Sequence, residues 1–399
     1  MPRFRTVHPF PARMAPAIAW NALRTSKGKL TVLDPMAGSG TTLVAAKARG
    51  HEALGFDTDP LAVTIARAWC AETDPQTLLA KADEVLARAK SRLARPGATE
   101  SYPKTADHET RRFLQYWFDP HARRQLNALA DTIRRLREPS IRALMWCAFS
   151  RLIVTKKAGA SLAMDVSHSR PHRVYDKAPL SAIDTFRHRV NSVARAMPFA
   201  GSGPSLPRAS VQLGDARQLP LADESVDVVI TSPPYLNAID YVRAHKFSLV
   251  WMGYSIKQLR NLRTGNIGSE APDTSILDHS YVRSALAQMG NTELLPERTR
   301  GVLARYILDM DLAISEIARV LRKNASATIV VGDSTVRGVF VANSKAITHI
   351  ATKNGLRVKS TVKRTILDSR RYLPPPTRCG SGQMSRRMRQ EVVISLAPS

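Results

Sequence analysis

From residue 30 onward, short runs of β-branched and apolar residues alternate with stretches whose apolar positions recur at helical spacing. Thr31–Leu33 reads as a buried strand that meets a glycine-rich turn, residues 41–49 as a helix, and Glu52–Phe56 as a second strand ending at Asp57 before another helix. Such a strand–helix–strand unit closes with a right-handed crossover, so its strands lie parallel in a doubly wound sheet. A second block opens at Val211 with a short strand, an acidic turn and the longer strand "VDVVI". That strand is expected to stop at about Ser232, because Pro233 and Pro234 have no N–H to give to a ladder and stiffen the chain beyond it. Residues 314–334 read as helix, turn and strand, and residues 356–366 and 390–397 as closing strands. The expected fold class is therefore α/β, a Rossmann-like doubly wound and mostly parallel sheet.

Between the two sheet-building blocks, residues 75–208 break this rhythm. Residues 111–158 place apolar positions at helical spacing with arginines on the remaining faces, which predicts a helical insertion, and the Pro/Gly/Ser-rich residues 197–210 read as its return linker. The expected division is residues 1–74, the insertion 75–208, and residues 209–399, with a loop insertion at about 255–300 that includes 259–278. The aromatic run Tyr116 to Phe118 is assigned to the insertion's core.

Charge changes the picture. Lys and Arg number 59 against 33 Asp and Glu, a formal net charge of +26, which favours a polyanionic partner and nucleic acid first. No uninterrupted apolar run reaches bilayer length and the N-terminus lacks a signal-peptide core, so neither a membrane partner nor secretion is expected and the location is read as cytoplasmic, associated with the nucleoid. Cys70, Cys147 and Cys379 show no metal-ligand spacing, and His8 and His245 are read as surface or packing residues, so no metal is expected.

The turn "DPMAGSGTT" lacks the third glycine of a nicotinamide-cofactor fingerprint, since Leu43 stands there, and lacks the lysine of a phosphate-cradling loop. It suits a ligand that lies close to the backbone without a pyrophosphate. Asp57, at the end of the next strand, offers paired acceptors for two ribose hydroxyls, and Asp215 in "GDAR" is placed to receive an adenine amino group. S-adenosylmethionine fits these features. At the other strand end, Ser232 Oγ and the Pro233 carbonyl can accept both N–H groups of an exocyclic amine, drawing it toward tetrahedral geometry without a general base, while Tyr235 offers a face on which an extruded base can stack.

"DPMAGSGTT" together with "TSPPY" resembles the amino-directed DNA methyltransferases, with the cofactor motif preceding the catalytic one. The resemblance covers about residues 7–70 and 210–395; Met36 stands where the family usually has phenylalanine. It implies a class I S-adenosylmethionine-dependent fold, catalytic residues Ser232, Pro233, Pro234 and Tyr235, and a cofactor held by Pro9, Phe10, Asp34, Pro35, Ala37, Gly38, Gly40, Asp57, Asp215 and Ala216. It implies double-stranded DNA as the partner, a cognate restriction endonuclease as a further candidate, and cytosine N4 as the target, since serine at 232 goes mostly with cytosine. Adenine N6 is the alternative, followed by RNA guanine N2, whose enzymes carry aspartate in the related motif. Arg134, Arg135 and Arg137 of the insertion and Arg263 of the predicted loop are the expected DNA contacts, with residues 370–389 as the other basic candidate.

Overall fold

The computed structural model describes residues 4–10, 13–24, 28–95, 101–156, 158–164, 171–202, 206–235, 241–366 and 390–399. Cys379 and the basic stretch 370–389 lie outside the described residues. In chain order the first elements are α1 (Pro16–Ala22), β1 (Thr31–Asp34), α2 (Thr41–Ala48), β2 (Glu52–Asp57) and α3 (Pro60–Trp69). The insertion follows as α4 (Pro75–Leu93), α5 (His108–Trp117), α6 (Pro120–Arg134), α7 (Pro139–Ile153), the two-residue strands β3 (Ala163–Met164) and β4 (His172–Arg173), and α8 (Ala182–Ala194). Next come β5 (Ala209–Leu213), β6 (Val226–Thr231), α9 (Tyr241–Met252), α10 (Ile256–Gly265), α11 (Ser280–Gln288) and α12 (Glu297–Val320). The chain closes with β7 (Leu321–Val331), a hairpin of β8 (Ser334–Val336) and β9 (Val339–Val341), α13 (Asn343–Lys353), β10 (Leu356–Thr365) and β11 (Gln390–Pro398).

The main sheet has the order β10-β11-β7-β6-β1-β2-β5. β5, β2, β1, β6 and β7 are parallel, and β11 runs antiparallel to both its neighbours. The order reverses between β1 and β6, and a crevice forms outside the carboxyl ends of the strands at such a switch point. Both strand ends are pinned there: Thr231 Oγ1 donates to Asp34 Oδ1 at 2.7 Å.

One apolar cluster joins α1–α3 to the insertion helices α4, α6, α7 and α8, and a second covers the opposite face with α11, α12 and α13. The insertion reaches the sheet through α7, which packs on α3. Prolines at the first turns of α3, α4, α6 and α7 fix the entry φ where no N–H is required, and Asp59, Asp74 and Asp119 cap three of these helices with their carboxylates.

Three expectations change. The predicted loop 259–278 begins as helix α10, started by a capping box in which Ser255 and Gln258 satisfy each other's backbone N–H groups. The rest of the expected loop insertion also contains helix α11. No turn separates α12 from the strand after it, since β7 begins at Leu321. Of the aromatic run, only Phe118 is fully buried; Tyr116 is 52% exposed because it lies on the outer side of α5, where Arg173 stacks over its ring.

Candidate functional site

An open cleft of about 1340 Å³, open solvent included, lies at the carboxyl ends of β1, β2, β5 and β6. One wall is the turn from β1 into α2. Gly38 and Gly40 both adopt positive φ, 51° and 90°, but they do different work. A Cβ at Gly38 would meet the Phe10 ring at 3.4 Å, so the turn and the N-terminal segment close on one another at the cleft wall. A Cβ at Gly40 would stand 2.9 Å from Ala66 Cβ; this glycine lets α2 approach α3 and does not line the cleft. Pro9 is also outside the lining, and its carbonyl faces His8 Nδ1 at 2.7 Å. Asp34, Pro35, Ala37, Phe10 and Gly38 do line it. Ser39 Oγ and Thr41 Oγ1 in the same turn are buried with no hydrogen-bond partner among the described residues, which suits a polar ligand lying against the turn.

The cleft is acidic in a strongly basic chain. Asp57 accepts from the Gly38 N–H at 2.8 Å through one oxygen and from the Asp59 N–H at 2.9 Å through the other. Burial, with the nearby Asp59 carboxylate, pushes the Asp57 carboxyl up to about 7. Asp34 is pushed up to about 6 by burial, against the pull of hydrogen bonds from Thr231 and Thr42. At Asp59 burial acts upward too, but the buried His245 partner at 2.5 Å outweighs it and holds the carboxyl below its ordinary value. His245 and His8 are both packing residues: His8 Nε2 lies 2.9 Å from Ser150 Oγ of α7. Asp215 and Ala216 line the cleft from the turn after β5. Burial raises the Asp215 carboxyl, yet Arg217 Nε and Nη2 bind it at 2.6–3.1 Å and bring it below the ordinary carboxylate value.

The motif Ser232, Pro233, Pro234 and Tyr235 forms the next wall, directly after β6 ends at Thr231. Ser232 Oγ lies 3.3 Å from Tyr235 Oη. Burial raises the Tyr235 phenol, so it stays neutral at physiological pH. Beyond the motif, residues 266–270 close the cleft, with Arg263 of α10 beside them. Arg134, Arg135 and Arg137 lie elsewhere. Arg134 is tied to Asp131 at 3.0 Å and to the Trp251 carbonyl at 3.1 Å; Arg135, which also donates to Asp131 at 3.3 Å, and Arg137 are exposed.

Arg217 is not singled out from the sequence, and the loop after Arg260 is assigned there to DNA rather than to the cleft wall that residues 266–270 form. Arg217 was legible as the second residue after Asp215, the position from which an arginine can fold back on a turn carboxylate. Among the described residues no cluster of His, Cys, Asp or Glu could hold a metal ion, and no helix is long and apolar enough to cross a membrane. Cys70 and Cys147 are buried, do not line the cleft, and have thiols pushed up to about 12.

A doubly wound sheet with β11 inserted antiparallel beside β7, and an acidic, glycine-walled cleft at the β1/β6 switch point, make up the class I fold of S-adenosylmethionine-dependent methyltransferases. The residues present suit that cofactor: carboxylates for a sulfonium and an ammonium, and a backbone turn that admits close approach. Along its sequence the chain is similar to Type II methyltransferase M.MvaI of Kocuria varians, 22% identical over 411 residues that cover 98% of this chain and 90% of that one. It is also similar to Type II methyltransferase M.BsoBI of Geobacillus stearothermophilus, 24% identical over 287 residues, covering 63% of this chain and 52% of that relative. No protein-family model matches. Among solved structures, a SAM-dependent methyltransferase from Methanosarcina mazei overlaps 96% of this chain and 98% of its own at 9% identity, with a TM-score of 0.33.

Proposed function

We propose that the protein methylates duplex DNA at an exocyclic amine, cytosine N4, after extruding the base, with S-adenosylmethionine as methyl donor. The observation that carries this reading is the placement of the Ser232–Tyr235 strand end and the glycine turn in one cleft, their two strands locked by the Thr231–Asp34 hydrogen bond. The cofactor, when bound, supplies a methyl group activated by its sulfonium. The chain's part is to hold and polarise the amine. Ser232 Oγ and the Pro233 carbonyl accept its two N–H bonds, which frees the nitrogen lone pair, and Pro234 stiffens the backbone that carries them. Tyr235 stacks against the base. Asp57 takes the ribose hydroxyls and Asp215, turned by Arg217, the adenine amine; Asp34, Phe10 and Gly38 surround the remainder of the cofactor.

Both relatives are named Type II methyltransferases, and a cognate restriction endonuclease is the proposed further partner. Adenine N6 is the second reading, because the same pair of acceptors serves either amine. Exposed Arg135 and Arg137 of the insertion, with Arg263 at the cleft, are the proposed DNA contacts. Labelled cofactor incubated with duplex DNA, RNA or neither tests the substrate class, and mass spectrometry of the hydrolysed product tests the atom. N4-methylcytosine is expected. N6-methyladenine alone would select the second reading, and 5-methylcytosine would overturn the mechanism, which provides no cysteine nucleophile among the residues lining the cleft.

A further inference from the structure

The Ser232–Tyr235 wall is rich in acceptors and poor in donors, because two of its four residues are prolines. Such a wall can satisfy the amine of a base but not the ring nitrogen beside it, nor a neighbouring carbonyl, both of which are acceptors. A buried acceptor left unpaired costs transition-state binding, so the donors must come from another wall of the same cleft. The strip Asn266–Glu270 lies there. Gly268, at φ +77°, brings its backbone so close to the motif that a Cβ would meet Pro234 Cβ at 3.3 Å. Ser269 Oγ is buried and has no hydrogen-bond partner among the described residues.

The strip is also held in place. Arg305 donates to the Thr264 carbonyl at 2.6 Å and Arg217 to the Gly265 carbonyl at 2.8 Å, so both arginines cap the last turn of α10 immediately before it. Arg217 is the same residue that binds Asp215 in the cofactor wall and reaches Asp309 of α12 at 2.5 Å. Within the strip, the Ser269 N–H bonds the Asn266 carbonyl at 3.1 Å, and Arg263 pairs with Glu270 at 3.3 Å. Two side chains able to donate, the amide of Asn266 and the hydroxyl of Ser269, therefore sit on a braced turn facing the catalytic motif.

The geometry points to Asn266 and Ser269 as the residues that recognise the acceptor edge of the extruded base. This assignment rests on the reading of the protein as a DNA amino-methyltransferase and specifies which side chains discriminate the target base at that same site. The test uses the full-length protein and a synthetic duplex bearing the site mapped by sequencing of DNA it has methylated. A second duplex carries 3-deazacytosine at the target, or 1-deazaadenine if the target is adenine; either analogue keeps the amine and removes the ring acceptor. Asn266→Ala and Ser269→Ala should each lower kcat/KM by roughly 10- to 100-fold, with cofactor affinity by calorimetry unchanged. Ser269→Thr, which keeps the hydroxyl, should recover most of the loss. The analogue should slow the wild type by a similar factor and add little to the variant that has lost the donor to the ring nitrogen. Variants that match the wild type, or an analogue penalty undiminished in both alanine variants, would overturn the assignment while leaving the activity intact. A wild-type protein that methylates no DNA would sink the functional reading and this assignment together.

Discussion

With Asp57 on the cofactor's ribose, as proposed, its raised carboxyl predicts that cofactor affinity depends on pH. Both its oxygens already accept backbone N–H groups, and burial beside Asp59 still pushes its carboxyl up to about 7. In the free protein this raised value means that the protonated form is favoured by folding: the contribution is fully present below the ordinary aspartate value and is lost as pH rises through about 7. Ribose hydroxyls donate, so they select the ionised form. At pH 6 about one molecule in eleven carries it and at pH 8 about ten in eleven, so affinity should rise by roughly tenfold between them and then level off. Isothermal titration with cofactor at pH 6, 7 and 8, in two buffers of different ionisation enthalpy, reads both the affinity and the proton released. The cofactor's own α-amino group, ordinarily about 7.7–8.0, titrates at the upper end of this range, but it does so equally with any variant. Asp57→Asn should therefore bind more weakly at pH 8 and lose the part of the slope that belongs to the protein. An affinity flat across this range, or a slope identical in wild type and Asp57→Asn, would refute the assignment of Asp57 to the ribose.

Tyr235→Ala should remove stacking worth about 1–3 kcal/mol from the extruded base, read as slower methyl transfer with an unchanged cofactor dissociation constant; a loss of cofactor binding instead would move Tyr235 to the other half-site. Gly40→Ala forces a Cβ to 2.9 Å from Ala66 at a φ of 90°, so its melting temperature should fall well below that of the wild type, and an unchanged melt would contradict the close approach of α2 to α3. Replacing Arg135 and Arg137 by glutamine should flatten the slope of log affinity against log salt by about 0.9 for each phosphate no longer neutralised, without changing the preferred sequence; an unaltered slope would place the duplex on another face.

Much of the sheet was legible because each strand carries its own local punctuation. The end of β6 follows from two prolines, that of β1 from Asp-Pro and a glycine turn, and that of β2 from Asp57 followed by a capped helix. Asp34, Asp57, Asp215 and the Ser232–Tyr235 motif could be brought together on paper because strand ends at a switch point share one crevice. What failed to show was set by partners distant in sequence. Nothing local marks Arg217 as a bridge to Asp309, 92 residues away, or the Asn266–Glu270 strip as a wall opposite Pro234. Helix α10 is the exception, since its Ser-x-x-Gln capping box was there to be seen, and the glycines after it drew attention to the turn rather than to the helix before it.

The insertion poses a different problem, since extensive apolar faces and abundant arginines are compatible with both a brace and a DNA grip. Its hydrogen bonds show how it braces. Arg151 of α7 donates to the Val7 carbonyl at 2.9 Å, and Ser150 of the same helix lies within hydrogen-bond distance of both His8 and Ser248 of α9. Trp69 of α3 holds the Arg5 carbonyl at 2.7 Å. The segment that carries Phe10 onto Gly38 is thus anchored by the insertion as well as by the sheet domain. A helical layer so engaged on its inner side can still present arginines outward, because a helix has more than one face. Arg134 is occupied by Asp131 and the Trp251 carbonyl, and Arg135 also reaches Asp131 at 3.3 Å, but both Arg135 and Arg137 are exposed. Bracing and DNA contact are therefore separable by residue: changes at Ser150 or Arg151 should register in cofactor affinity, and changes at Arg137 in salt dependence.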